Sequence, residues 1–238
     1  MTDLVDLAIN AHGGLSRWNE VRELAVQVSL TGPMYVIKGQ PQGMANVSMH
    51  VDTRVPAIDV SPFPAAGHVG HFRPDRTFVS DGTGKLTDER DRPRETFAGH
   101  ILSSRWDTSQ LLYFNAYAMW NYLSTPFMFT RPGFQLKELD PHRENDTLWR
   151  RLHVKFPADI PTHCREQIFY FNPDGLLQRI DYVTDIAGGV AAHYCYDHMW
   201  FGGIFFPTLR RVVRRTEDGA SPSTPAAILI RITDILVR

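Results

Sequence analysis

From Leu148 to the C-terminus the chain reads as one strand after another, and this run limits the fold more than any other feature. The segments LWRRLHVKF, HCREQIFYF, LLQRIDYVTD, VAAHYCYDHMW, FFPTLRRVVRRT and AILIRITDILV are separated by the turn signals NPDG, IAGG and WFGG and by an EDGASPSTP loop. Strands joined by tight turns pair antiparallel with their sequence neighbours. The spacing therefore predicts an antiparallel meander that curls into a barrel or half-barrel.

Two further strands stand near the N-terminus. Leu24, Val26, Val28 and Leu30 alternate with smaller or polar residues, as do Ala45, Val47, Met49 and Val51, the pattern of half-buried strands. Ahead of them, Leu4, Leu7, Ala8 and Ala11 recur at helical spacing, Asp3 and Asp6 favour a helix N-terminus, and Gly13-Gly14 can end that helix. Residues 53–104 are rich in Pro, Gly and charge, which predicts short strands joined by loops and no second core. A single unit over residues 1–238 is expected.

One more helix is marked out by DTSQLLYFNAYAMWNYLSTP. Asp107 or Thr108 can cap it, and it must stop before Pro126. Leu111, Leu112, Phe114, Tyr117, Met119, Trp120 and Leu123 lie almost all round it, so it should be covered on more than one side, as a core helix or as a lid over a cavity. The expected class is mainly β (α+β).

With 25 Lys+Arg against 26 Asp+Glu the net charge is -1, which gives no global attraction to nucleic acid or to an anionic membrane. No run approaches the roughly 18–20 apolar residues that span a bilayer. Acids stand where a secretory signal has its basic region, and the two cysteines, Cys164 and Cys195, are too few for a disulfide framework. These features place the expected protein in the cytoplasm, with both thiols reduced. They set no oligomeric state.

The chemistry-bearing residues concentrate in GGVAAHYCYDHMW. On a strand His193, Cys195 and Asp197 face one way and Tyr194, Tyr196 and His198 the other, so the two histidines cannot share a metal ion in a regular strand. Neither a metal nor a cofactor is expected. If NPDG closes a type I turn, Asn172 faces Leu176, Gln167 falls opposite Asp181, Glu166 opposite Tyr182, and His163 near Asp185. The IAGG turn allows two registers: one sets His193 opposite Asp181, as a general-base dyad, and a slip of one sets it opposite Tyr182. His163 and Tyr194 are further candidate acids or donors. The arginine runs WRR and RRVVRR split between strand faces and read as solvated surface.

The segments AHGGLSRW, YFNAYAMWNYLSTPF, THCREQIFYFNPDGLLQRIDYVTDIAGGVAAHY and FPTLRRV resemble a widespread uncharacterised group of bacterial proteins with a LolA-like fold, the fold of the outer-membrane lipoprotein carriers. The resemblance covers nearly the whole chain. It implies a strongly curved antiparallel sheet, an open half-barrel, whose concave apolar face is covered by an N-terminal helix and an aromatic lid helix and takes a hydrophobic ligand. Carriers of that fold are exported, and the start of this chain departs from them, so lipoprotein trafficking is not carried over.

Two functions fit. One is cytoplasmic binding of a hydrophobic small molecule, a lipid or polyketide-like metabolite, through Tyr113, Phe114, Tyr117, Trp120 and Tyr122. The other is a cofactor-independent isomerase, lyase, cyclase or hydrolase that uses His193, Asp181, Tyr182, His163 and Tyr194 in the same cavity.

Overall fold

The computed structural model describes residues 3–144, 146–216 and 225–238. Its strands are β1 (Glu23–Thr31), β2 (Met44–Asp52), β3 (Ala57–Ser61), β4 (His68–Arg73), β5 (Arg76–Asp81), β6 (Leu86–Asp91), β7 (Gln135–Glu144), β8 (Thr147–Lys155), β9 (Glu166–Phe171), β10 (Leu177–Val183), β11 (Val190–Phe201), β12 (Ile204–Arg214) and β13 (Ile228–Val237). All of them join one antiparallel sheet in the order β6-β5-β4-β3-β2-β1-β13-β12-β11-β10-β9-β8-β7. Two meanders are thus welded by the pairing of β1 with β13. The sheet is open and curved, and its edge strands β6 (LTDERD) and β7 (QLKELDPHRE) are rich in charge, which blunts pairing with other chains.

The helices are α1 (Asp3–Ala11), α2 (Leu15–Glu20), α3 (Pro33–Ile37) and α4 (Thr108–Ser124). The chain must pass from edge strand β6 to the opposite edge strand β7, and α4 lies on that crossing, packed against β3, β4 and β5. That position explains its composition: every residue from Ser109 to Ser124 is buried, because the concave face lies on one side and the flanking loops on the others. The helix is therefore a core element. Its start is fixed reciprocally, the Gln110 N–H donating to Asp107 Oδ1 at 2.8 Å and the Asp107 N–H to Gln110 Oε1 at 3.1 Å. It ends one residue before the Thr125-Pro126 bond.

The expected alternation holds in β1, where Leu24, Val26, Val28 and Leu30 are buried. Helix α1 buries Leu4, Val5, Ala8 and Ile9, a face rotated from the expected Leu4-Leu7-Ala8-Ala11 stripe, because both β-branched residues turn inward. Gly13 closes the helix region at φ 117°, and a Cβ there would stand 2.3 Å from the Gly203 carbonyl oxygen. The sequence reading missed α2, α3 and β7. Each is short or mixes charged with apolar residues, and each is held by its neighbours more than by its own pattern.

Candidate functional site

Strand β11 carries the histidine-bearing stretch, and its register corrects both expected alignments. Ile180 stands opposite His193, Asp181 opposite Ala192 and Tyr182 opposite Ala191. The ladder closes at Val183–Val190, and the turn takes up Thr184 to Gly189, with the Gly189 carbonyl accepting from the Thr184 N–H at 3.0 Å. Since strand faces alternate, Asp181 lies on the face opposite to His193, and the expected dyad does not form. On the other side of β10, Asn172 faces Leu176 and the Asp185 N–H donates to the His163 carbonyl, as expected. A register shift between Leu177 and Arg179, however, puts Asp181 opposite Ile168 in place of Gln167.

On the concave face a chain of buried polar side chains runs from α4 to β12. The Tyr117 hydroxyl is 2.9 Å from His163 Nδ1, and the Tyr122 hydroxyl is 2.7 Å from His163 Nε2. Tyr122 and Tyr182 hydroxyls are 3.2 Å apart, Tyr182 reaches His193 Nδ1 at 3.4 Å, and Arg210 Nη1 lies 3.5 Å from His193 Nε2. The bond directions follow from one end. A guanidinium only donates, so His193 accepts at Nε2 and carries its proton on Nδ1. It then donates to Tyr182, which donates to Tyr122, which donates to His163 Nε2. His163 in turn holds its proton on Nδ1, facing the Tyr117 oxygen.

Burial sets the charge states along this chain. His163 is pushed down to about 3 by loss of water, with Arg94 adding to the effect. Burial, then Arg210 and His163, hold His193 well below the usual imidazole value. Burial also raises the Tyr117, Tyr122 and Tyr182 hydroxyls. At neutral pH the chain is made of neutral rings closed by one cation.

Arg210 is the residue that the sequence reading missed. The run RRVVRR does split between faces: Arg211 and Arg214 are exposed, but Arg210 is 1% exposed. It donates to the Tyr122 carbonyl and to Cys195 Sγ, both at 3.1 Å, and its guanidinium lies 5.0 Å from the centre of the Tyr122 ring. The signal was its phase with Val212, which faces inward opposite His193. Cys195 is buried and its thiol is raised by burial, against the pull of Arg210.

The convex face carries a second cluster, and two candidate site residues belong to it. Arg179 grips both oxygens of Asp181, at 2.6 and 2.9 Å, and donates to Glu144 at 2.7 Å. The Tyr170 hydroxyl donates to Asp181 at 2.8 Å, and the Tyr194 hydroxyl to Glu144 at 2.7 Å. Asp181 and Tyr194 are therefore separated by the sheet from His193, Tyr182 and His163.

The aromatic residues of α4 also divide. A cavity of about 1270 Å³ opens between α3, α4, the Thr184–Gly189 turn and strands β10 to β13, lined by Met34, Ile37, Leu102, Phe114, Val212 and Ile228, with Tyr182 at its polar end. Phe114 lines it, while Tyr117 and Tyr122 stand in the polar chain. Tyr113 packs edge-on to Phe72. Trp120 donates from Nε1 to the Asp52 carbonyl at 2.7 Å beneath Arg131, outside that lining. Lys38, also unread from the sequence, is buried beside the mouth and donates to the carbonyls of Ile101, Leu102 and Ala187 at 3.1, 2.7 and 3.2 Å. Among the described residues no group of three or more His, Cys, Asp or Glu side chains is placed to hold a metal ion, and no helix is long and apolar enough to cross a membrane.

No family model and no curated protein matches the chain. Solved structures do. A LolA superfamily protein from Nitrosomonas europaea is 11% identical, with 97% of this chain and 93% of that one covered at a TM-score of 0.51. A domain described as an outer-membrane lipoprotein-sorting protein, from Vibrio parahaemolyticus, is 8% identical over 98% and 92% of the two chains, also at 0.51. A DUF1329 family protein from Desulfovibrio piger is 12% identical over 98% and 91%, at 0.50. Such identities speak for fold alone: an open, curved antiparallel sheet with helices against its concave face, which is the LolA-like fold.

Proposed function

We propose that the protein binds a hydrophobic small molecule, a lipid or polyketide-like metabolite, in the cavity between α3, α4 and strands β10 to β13. The observation that carries this reading is the cavity of about 1270 Å³ with a mainly apolar lining, large enough for a ligand of that class. Its mouth is rimmed by Ile37 and Leu102, 48% and 55% exposed. Apolar side chains left in water at the entrance of an apolar pocket gain when a ligand covers them. The LolA-like fold supports the reading by analogy. We place the binding in the cytoplasm, a setting consistent with two thiols that no disulfide joins.

A proton-transfer role draws less support. Both ring nitrogens of His163 are occupied by tyrosines, and burial keeps both imidazoles below the range in which one serves as a base near neutral pH.

The test is binding of N-phenyl-1-naphthylamine, an uncharged fluorescent apolar probe, to the full chain and to Ala191→Trp. Ala191 lines the cavity, and an indole there projects into the space beside Tyr182 and obstructs it. The wild type should bind the probe and the variant should bind more than about tenfold more weakly. Equal affinities in two folded proteins would put the probe elsewhere and overturn the reading.

A further inference from the structure

Two large buried arginines face opposite sides of the same sheet, and they are treated differently. Arg179, on the convex face, has the carboxylates of Asp181 and Glu144. Arg210, on the concave face, has none among the described residues. Among the described residues its acceptors are a carbonyl, a thiol and an imidazole nitrogen, and its Nε has no partner there. A buried charge is stabilised by an opposite charge far more than by neutral acceptors, so an uncompensated guanidinium raises the potential around it. Lys38, the other buried cation near the cavity, differs because its ammonium is shared among three carbonyls.

That potential falls on the end of the cavity. Tyr182 lines the cavity and touches His193, and His193 touches Arg210. The chain is also loosest there. The contacts from Tyr182 to His193 and from His193 to Arg210 are 3.4 and 3.5 Å, whereas the two on His163 are 2.7 and 2.9 Å. Long bonds are weak bonds, so a better acceptor can take the Nδ1 proton of His193 and the hydroxyl proton of Tyr182 from their present partners.

On this basis, and resting on the apolar-ligand reading above, we propose that the ligand is an amphiphile whose single carboxylate docks beside Tyr182 and His193 with Arg210 as its counter-charge. Arg214 and Arg215 also line the cavity, but Arg214 is exposed to water and Arg215 is ion-paired with Asp181 at 3.6 Å. The buried charge left to balance is that of Arg210, which favours a carboxylate over a dianionic phosphate monoester. The carboxylate accepts from the His193 Nδ1–H and the Tyr182 hydroxyl, and the hydrocarbon part lies along Phe114, Met34 and Ile228. Hydrogen bonds to an anion are roughly twice as strong as neutral ones, and here they form where water is excluded.

The experiment compares cis-parinarate with its methyl ester, two fluorescent polyenes that differ only in the head, on the full-length protein. The wild type should bind the carboxylate at least about tenfold more tightly than the ester. In Arg210→Gln that ratio should fall towards one. Should this variant not fold, Tyr182→Phe, which removes the cavity-facing hydroxyl, must also lower the ratio. Equal affinity of the wild type for acid and ester would overturn the head-group proposal and leave the apolar-ligand reading standing. Failure of the folded wild type to bind either form would overturn both.

Discussion

The Tyr122 hydroxyl stands 2.7 Å from Nε2 of His163, and with Tyr117 on Nδ1 it uses up both nitrogens of a ring that is 2% exposed. His163 also stacks on Tyr182, with ring centres 4.3 Å apart. The imidazole thus ties the loop before β9 to α4 and to β10. Substituting His163→Phe keeps a stacked ring and strips both hydrogen bonds, leaving two tyrosine hydroxyls buried and short of a partner. At about 1–3 kcal/mol for each such group, urea unfolding should register a loss of roughly 2–6 kcal/mol. An unchanged midpoint would mean that the hydroxyls find other partners and that the chain has no structural weight.

Acid should destabilise the fold through its histidines. Burial lowers His163 to about 3 and His12 and His198 to about 4, and His193 well below its usual value. Below the ordinary value of 6.5 the unfolded chain binds protons that the folded chain refuses, so stability rises with pH across this window. The contribution is fully present above 6.5 and is lost as pH falls towards 4 and below. Each fully buried histidine can account for up to about 1.4 kcal/mol per pH unit. Urea midpoints at pH 7 and pH 5 should differ clearly, and His163→Phe should flatten the dependence. Equal midpoints would contradict neutral burial of these rings.

Asp181 should matter for stability and not for binding. It is gripped by Arg179 on the face away from the cavity, with Arg215 of the cavity rim 3.6 Å from its second oxygen, and Asp181→Ala would leave Arg179 and Arg215 with one carboxylate fewer. Breaking a buried pair from one side costs about 3–5 kcal/mol; the remaining Glu144 contact puts the expected loss towards the lower figure. Probe affinity of the folded variant should stay within about twofold. A collapse in affinity with little loss of stability would return Asp181 to the binding site.

Lys38 gathers the Ile101–Leu102 segment and the Thr184–Gly189 turn at the cavity mouth by donating to carbonyls in both. Burial lowers its amine to about 8. In Lys38→Met those carbonyls lose their donor while the aliphatic stem is kept. Hydrogen exchange should accelerate at amides of both segments, with global stability reduced by roughly 1–3 kcal/mol. Unchanged exchange at the mouth would show that other contacts hold these segments.

Much of the architecture could be read along the chain. Alternation in LAVQVSL marked β1, that in ANVSMHVD marked β2 from Val47 onward, with Ala45 exposed, and a cap at Asp107 or Thr108 together with Pro126 bounded α4. These are local properties: a strand face repeats every two residues, a cap acts over three, and proline forbids a continued helix. The all-round apolar character of LLYFNAYAMWNYL likewise predicted cover on more than one side, and every residue from Ser109 to Ser124 is buried.

What faces what was decided only by the folded sheet. The Thr184–Gly189 turn closes on Val183 and Val190, and that closure puts Asp181 on one face and His193 on the other. A shift of one residue exchanges the two faces of a strand without altering its sequence pattern, so no reading of IAGG could choose the register. The same holds for Arg210: alternation says that half of RRVVRR turns inward, but only the packing of β12 between β11 and β13 beneath α4 makes that arginine a buried cation beside His193. Composition and periodicity determined which elements form, because they act through neighbours in sequence. The polar chain and its cation arose from contacts between residues far apart in sequence, Tyr122 with His163 and Arg210 with His193, which the tertiary structure alone brings together.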